Sequence, residues 1–213
     1  MCGRAVLVNP SAIREWFDLE AIPAMPPRFN IAPSQLIAVI RTPRRLELLR
    51  WGLARPGRPP QINMRVESVA RTANRQRRCL VAVDGFYEWR KGATATTRQA
   101  FLIRDAEGRP FALGGVFGPS MTGDGEDGAL VDSVAILTCP PRPPVDAIHD
   151  RMPLIIPRDA CARWLKPDAD VTDLLIPSER HLVAIPVSPY VNSPTHDDPK
   201  CIEPAEPVQG SLF

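Results

Sequence analysis

The chain alternates short apolar runs with prolines, glycines and charged turns, a pattern that predicts many short strands and few helices. Asn9-Pro10 reads as a helix start, because asparagine caps the open N–H groups of a first turn and proline is tolerated inside it. Ile13, Trp16 and Phe17 then fall at i, i+3 and i+4, which predicts a short amphipathic helix closing near Glu20 and ended by Pro23 to Pro27. Leu36 to Ile40, Leu46 to Trp51, Leu80 to Trp89, Ala100 to Ile103, Phe111 to Val116, Ser133 to Thr138 and Pro153 to Ile156 read as strands. Helical stretches are expected at Arg65 to Arg77, Asp159 to Leu165 and Asp170 to Leu175, and a solvated loop at Gly118 to Gly128. The tail after Pro194 contains prolines and little apolar material, so most of it is expected to have no packing of its own.

Composition narrows the class. A chain of 213 residues suits one domain with one core, and neither an internal repeat nor a second domain is visible. Its 25 prolines favour short strands joined by rigid turns. With no run of 18 apolar residues and no opening signal segment, a soluble cytoplasmic protein is expected. Cys2, Cys79, Cys139, Cys161 and Cys201 are odd in number, widely spaced and free of any C-x-x-C pair, so reduced thiols are expected and no metal.

The net charge of +2 hides a strong asymmetry: from Arg41 to Arg78 there are eleven arginines, no lysine, and only Glu47 and Glu67 as acids, 11 − 2 = +9. A solvated basic face is one reading. Arginine without lysine is also what a phosphate surface prefers, since the planar fork engages phosphate oxygens two at a time, and on charge alone a nucleic-acid backbone is the favoured partner.

The start, Met1-Cys2-Gly3-Arg4, carries chemistry of its own. Methionine removal is expected before a side chain as small as cysteine, and it would leave an α-amine and a thiol on one residue. That pair condenses with an aldehyde to a Schiff base, which the sulfur closes into a thiazolidine. An internal cysteine lacks the amine.

Five further segments occur in order: Arg28-Phe29-Asn30-Ile31-Ala32-Pro33, Trp51-Gly52-Leu53, Asn63-Met64-Arg65-Val66-Glu67-Ser68, Arg78 through Gly85-Phe86-Tyr87-Glu88-Trp89, and Ile148-His149-Asp150-Arg151-Met152-Pro153. With the Cys-Gly-Arg start they closely resemble the SRAP family, the SOS response-associated peptidase proteins that shield abasic sites in single-stranded DNA, over nearly the whole chain. The resemblance implies an α+β fold: a single β-rich domain, residues 1–204, with a pseudo-symmetric barrel-like core and peripheral helices, followed by a flexible tail, 205–213. It also implies a cross-link between Cys2 and the ring-opened sugar aldehyde, lyase-like reversal, and a peptidase activity whose clearest expression is removal of Met1.

By the same resemblance Cys2, Asn63, Glu88 and His149 are the catalytic residues, without metal or cofactor. Arg4 and Arg65 bind phosphates flanking the lesion, Asn30 and Thr138 line the pocket, and Arg151 holds the His149 loop or adds to the phosphate surface. Backbone contacts suffice for a protein that tolerates any sequence around a missing base, and a nucleoid-associated monomer is implied. Local sequence leaves other readings open. Glu88, flanked by Tyr87 and Trp89, could sit in an apolar wall that favours its protonated form, or face solvent; His149 reads equally as a satisfied turn residue, and Asn63 as a turn residue or helix cap.

Two features stand outside this pattern. Ala54 to Gln61 lacks the aromatic residues that relatives commonly carry there, leaving Arg55 and Arg58 to supply stacking or charge. The last five residues, Gln209-Gly210-Ser211-Leu212-Phe213, resemble the peptide by which bacterial repair proteins bind the sliding clamp, with Gln209, Leu212 and Phe213 as anchors. The alternatives in function are an N-terminal-nucleophile amidohydrolase, whose members also begin Met-Cys-Gly but carry glutamine-binding motifs not found here, and a non-covalent single-stranded DNA-binding module.

Overall fold

The computed structural model describes residues 2–55, 57–69, 77–90, 98–122 and 129–205. Its strands are β1 (Ala5–Leu7), β2 (Arg28–Ile31), β3 (Leu36–Thr42), β4 (Arg45–Trp51), β5 (Leu53–Arg55), β6 (Arg58–Gln61), β7 (Asn63–Arg65) and β8 (Arg78–Val83). Beyond these run β9 (Gly85–Arg90), β10 (Gln99–Asp105), β11 (Phe111–Thr122), β12 (Ala129–Cys139), β13 (Met152–Pro153), β14 (Ile155–Ile156) and β15 (Leu182–Pro186). The α-helices are short: α1 (Pro10–Trp16), α2 (Val66–Val69) and α3 (Cys161–Trp164).

The apolar run expected as one strand from Leu80 to Trp89 is two, β8 and β9, in different sheets. They meet at Asp84, whose Oδ2 accepts the N–H groups of Val8 and Asn9 at 2.7 and 3.0 Å and so pins the turn. Glycine is needed next, because a Cβ on residue 85 would lie 2.8 Å from the carbonyl oxygen of Ile103. Asp84-Gly85 is itself a turn dipeptide, and joining the apolar residues on its two sides into one run passes over that signal.

β8 belongs to a closed ring of five strands, β12-β4-β3-β8-β11, with β11 pairing back onto β12. All six residues of β8 are buried, as expected of a central strand covered on both faces. Most pairs are antiparallel, but β12 runs parallel to β4 and to β7. The β7 register sets Asn63 opposite Ile136 and Arg65 opposite Thr138.

β9 belongs to the second sheet, ordered β15-β10-β9-β1-β2. Period-two alternation divides its side chains cleanly: Phe86, Phe101, Ile103 and Leu7 join the main core, while Val6, Tyr87, Ala100 and Leu102 form a second cluster with Val187, Val191 and Cys201. Both faces are therefore covered, one by the barrel and one by the C-terminal strap.

That strap corrects the reading of the tail. Asp197 Oδ1 accepts the N–H groups of Phe29 and Asn30, Arg28 pairs with Asp197, and Cys201 is fully buried. Its prolines begin one-turn helices at 189–192 and 199–202. Residues 118–122, expected in a loop, instead extend β11 and pair with 129–133, although Gly123 to Gly128 lie outside the described residues. The helix expected at Arg65 to Arg77 is described only as α2, and Asp170 to Leu175 holds a single 3₁₀ turn at 172–174. α1 starts as expected, with Asn9 Oδ1 accepting the Ala12 N–H at 3.1 Å, and stops at Trp16. Arg58–Gln61, with its two prolines, pairs with β5 as a two-stranded ribbon, an edge position that proline tolerates. Among the described residues no helix is long and apolar enough to cross a membrane.

Candidate active site

Cys2 precedes β1 and is fully buried in the main core. Its carbonyl accepts a hydrogen bond from Asn63 Nδ2 at 2.7 Å, so β7 fixes the backbone of the residue that carries the thiol. Its thiol lies 3.7 Å from the Arg4 carbonyl oxygen. Burial first, and then the like charge of Glu88, push the Cys2 thiol above its ordinary range.

Glu88 is 2 % exposed. Its wall is not the one its flanking residues suggest: alternation sends Tyr87 and Trp89 to the opposite face of the sheet, against the strap. Glu88 instead faces the barrel side, with Phe86. Loss of hydration is the largest influence on its carboxyl and raises it to about 7, opposed by positive charge at the amino terminus and reinforced by Asp150. A carboxyl poised there is divided between acid and base at neutral pH.

The turn after the one-turn helix at 145–147 carries His149 and brings the neighbouring Asp150 close enough to Glu88 for their charges to interact. His149 Nδ1 is 3.0 Å from the Arg151 N–H and 2.9 Å from Asp150 Oδ1. A bare Nδ1 accepts from Arg151, whereas one carrying hydrogen donates to Asp150, so the turn supports either tautomer of the ring. Asn63 Oδ1 is buried and accepts no hydrogen bond among the described residues, which leaves an acceptor for an incoming N–H or O–H.

Cys2, Asn63, Glu88 and the His149-Asp150 turn thus converge. Arg65 is exposed on β7 two residues from Asn63. Thr138 is buried opposite it and donates to the Met64 carbonyl at 3.4 Å. Arg151 reaches away, donating to both carboxylate oxygens of Glu67 at 2.9 and 3.0 Å and to the Thr138 carbonyl. Arg4 and Asn30 are joined to each other at 2.9 Å and tied to the strap: Arg4 donates to Val191 and Asn192, and Asn30 to Val191, Ser193 and His196.

The arginine-rich segment is not one surface. Arg41 pairs with Glu47 and Asp132, Arg44 with Glu20, and Arg78 is buried, donating to the carbonyls of Trp164, Lys166, Pro167 and Ala169 at the end of α3. Arg50, Arg58, Arg65 and Arg77 remain exposed, and Arg55 donates to Pro59. Arg71, Arg75, and the Gln209, Leu212 and Phe213 anchors lie outside the described residues. Glu67 and Asp150 were missed as site components, though both stand inside the motif stretches. Glu67 is 84 residues from Arg151, and no local pattern reports such a pair; only the carboxylate next to His149 was visible as a signal.

Three comparisons bear on this geometry. The chain is 31 % identical over 228 residues to abasic site processing protein YoqW of Bacillus subtilis, covering 95 % of this chain and 99 % of that one. It is 30 % identical over 151 residues to abasic site processing protein YedK of Escherichia coli, covering 65 % of this chain and 64 % of the relative. A crystal structure of a Bacteroides thetaiotaomicron protein superposes with a TM-score of 0.79 over 96 % of this chain and 100 % of that one; at 17 % identity this speaks for the fold alone. The family pattern for SOS response associated peptidases matches residues 1–194, and the chain belongs to that family, SRAP.

Proposed function

We propose that this protein captures abasic sites in single-stranded DNA, with Cys2 as its N-terminal residue once Met1 is removed. The observation that carries the reading is the buried Glu88 carboxyl, raised to about 7, against the buried Cys2 whose backbone Asn63 holds. The Cys2 amine adds to the aldehyde carbon of the ring-opened sugar, and water leaves to give an imine. The sulfur then adds to the imine carbon while its proton passes to nitrogen, so one water is released overall. Glu88 donates the proton to the departing hydroxyl and, as a carboxylate, takes the proton from a thiol that burial keeps protonated. His149 passes protons on reversal, Asn63 Oδ1 receives the sugar hydroxyl or the amine, and exposed Arg65 takes a flanking phosphate. The same thiol and carboxyl support cleavage of the Met1–Cys2 bond, which intact mass of the expressed protein reads directly.

The protein acts as a nucleoid-associated monomer on this reading, and the C-terminal Gln-Gly-Ser-Leu-Phe is proposed to bind the bacterial sliding clamp. A 204–213 peptide should bind the clamp, and one with Leu212 and Phe213 changed to alanine should not; equal binding removes the clamp from the proposal. For the central reaction, the protein is incubated with single-stranded DNA bearing one abasic site and run on a denaturing gel. Cys2→Ala should give no heat-stable adduct, while Cys79→Ala and Cys161→Ala behave as wild type. A heat-resistant adduct from Cys2→Ala at wild-type yield overturns the reading.

A further inference from the structure

We infer that Glu67 is a positioning residue for the site, holding the His149-Asp150 turn in place through Arg151. The inference rests on the aldehyde-capture reading for its kinetic arm. Its structural basis is a continuous set of contacts. Both oxygens of Glu67 receive the two terminal nitrogens of the Arg151 guanidinium, a fork that fixes direction as well as distance. The Arg151 side chain is only 12 % exposed, and its Nη2 also donates to the Thr138 carbonyl at the end of β12. Its own backbone N–H donates to His149 Nδ1. Glu67 therefore ties α2, β12 and the catalytic turn together across 84 residues of chain.

Arg65 makes the contrast two residues earlier. It is exposed and turned to solvent, as a phosphate contact should be, whereas Arg151 is largely covered and already forked onto a carboxylate. Glu67 is held ionised by Arg151 to about pH 2, so the pair stays intact at any pH at which the site works. A DNA phosphate reaching Arg151 would have to displace Glu67 from both nitrogens. The two roles make opposite demands on Glu67. As a clamp it must stay paired; as a competitor for a phosphate-binding arginine it should be dispensable.

Glu67→Gln separates them. Single-turnover cross-linking is followed against concentration of an abasic single-stranded oligonucleotide, with salt titrations of binding and melting temperature alongside. The expected result is a plateau rate lower by about 10- to 100-fold, since small misplacement of a reacting group has effects of that size. Half-saturating DNA concentration, salt slope and melting temperature should stay near wild type. Arg151→Ala should match it in plateau rate with an unchanged salt slope, and the double variant should lose little more than either single one. Arg65→Ala is the opposite control, with the slope reduced by ~0.7. An unchanged or faster plateau in Glu67→Gln, or a reduced slope in Arg151→Ala, overturns the inference. The imidazole ¹⁵N signals of His149 supply a readout independent of cross-linking. If they move in Glu67→Gln while wild type forms no adduct, the clamp stands and aldehyde capture falls; if they do not move, the clamp falls.

Discussion

Among the described residues two carboxylates are buried, and their surroundings push them in opposite directions. Asp105, at the end of β10, is inaccessible to solvent, and burial alone would raise it. Its Oδ1 instead accepts the backbone N–H groups of Glu107 and Arg109 and the Arg109 Nε, and Arg180 Nε stands 2.8 Å from Oδ2, so the group is held below the usual carboxylate range. Both arginines also lie over the Trp16 ring. Glu88 is as deeply covered but has no arginine among the causes of its shift, and it rises to about 7. A buried acid surrounded by donors is a structural joint. One whose donors, an amine and the Trp89 N–H, do not offset the loss of hydration costs stability and gains reactivity.

The largest expected effect concerns Glu88. Glu88→Gln should slow cross-linking by about 10² to 10⁴ while leaving the fold intact, because the amide resembles the neutral acid already favoured by burial. Wild-type time courses would erase the distinction. Asp105→Asn should do the reverse. With Arg180 left without its nearest carboxylate, unfolding free energy from urea titration should fall by about 3–5 kcal/mol, and the fraction that remains folded should cross-link at the wild-type rate.

The comparison extends to pH with opposite signs. Glu88 binds its proton more tightly folded than unfolded, so its favourable contribution is complete below about 4.5 and is lost as pH rises to about 7. Asp105 binds its proton less tightly when folded, so its contribution is present above the ordinary value of 3.8 and is lost as pH falls. Melting temperature measured from about pH 4.5 to 7 should therefore decline less in Glu88→Gln than in wild type, and the acid limb should flatten in Asp105→Asn. Parallel curves for Glu88→Gln and wild type would show that the carboxyl is not raised.

The smallest effect carries the contrast over to arginines. Arg4→Ala removes donors to Asn30 and two strap carbonyls, and should cost roughly 1–3 kcal/mol of stability without altering the salt dependence of DNA binding. Arg65→Ala should leave stability unchanged and reduce the slope by ~0.7. If Arg4→Ala also lowers the slope, its guanidinium serves both strap and DNA.

Much of the molecule was legible before any coordinates. Apolar runs bounded by turn residues located β3, β4, β10 and about half of β11 and β12, and the Asn9 cap located α1, because these elements depend on side chains adjacent in sequence. The motif order identified the family, and with it Cys2, Asn63 and Glu88, which lie together, and His149, whose neighbour Asp150 acts on Glu88. Three-residue strands such as β1 and β7 are too short for a period to register, and they form because longer neighbours offer open edges. The strap reads as unstructured because its partners, Asn30 and Arg28, are 166 and 169 residues earlier.

Sequence by itself therefore determined which residues are chemically able to act and which stretches prefer an extended or helical path. Tertiary structure decided the rest. The break at Asp84 puts β9 in a second sheet, and the side-chain period of two then turns Glu88 away from Tyr87 and Trp89 and toward Cys2. It also commits Arg4 to the strap, leaves Arg65 free to meet solvent, and closes the Glu67–Arg151 fork. Ionisation and hydrogen bonding depend on what surrounds an atom in space, and most of those neighbours are remote along the chain.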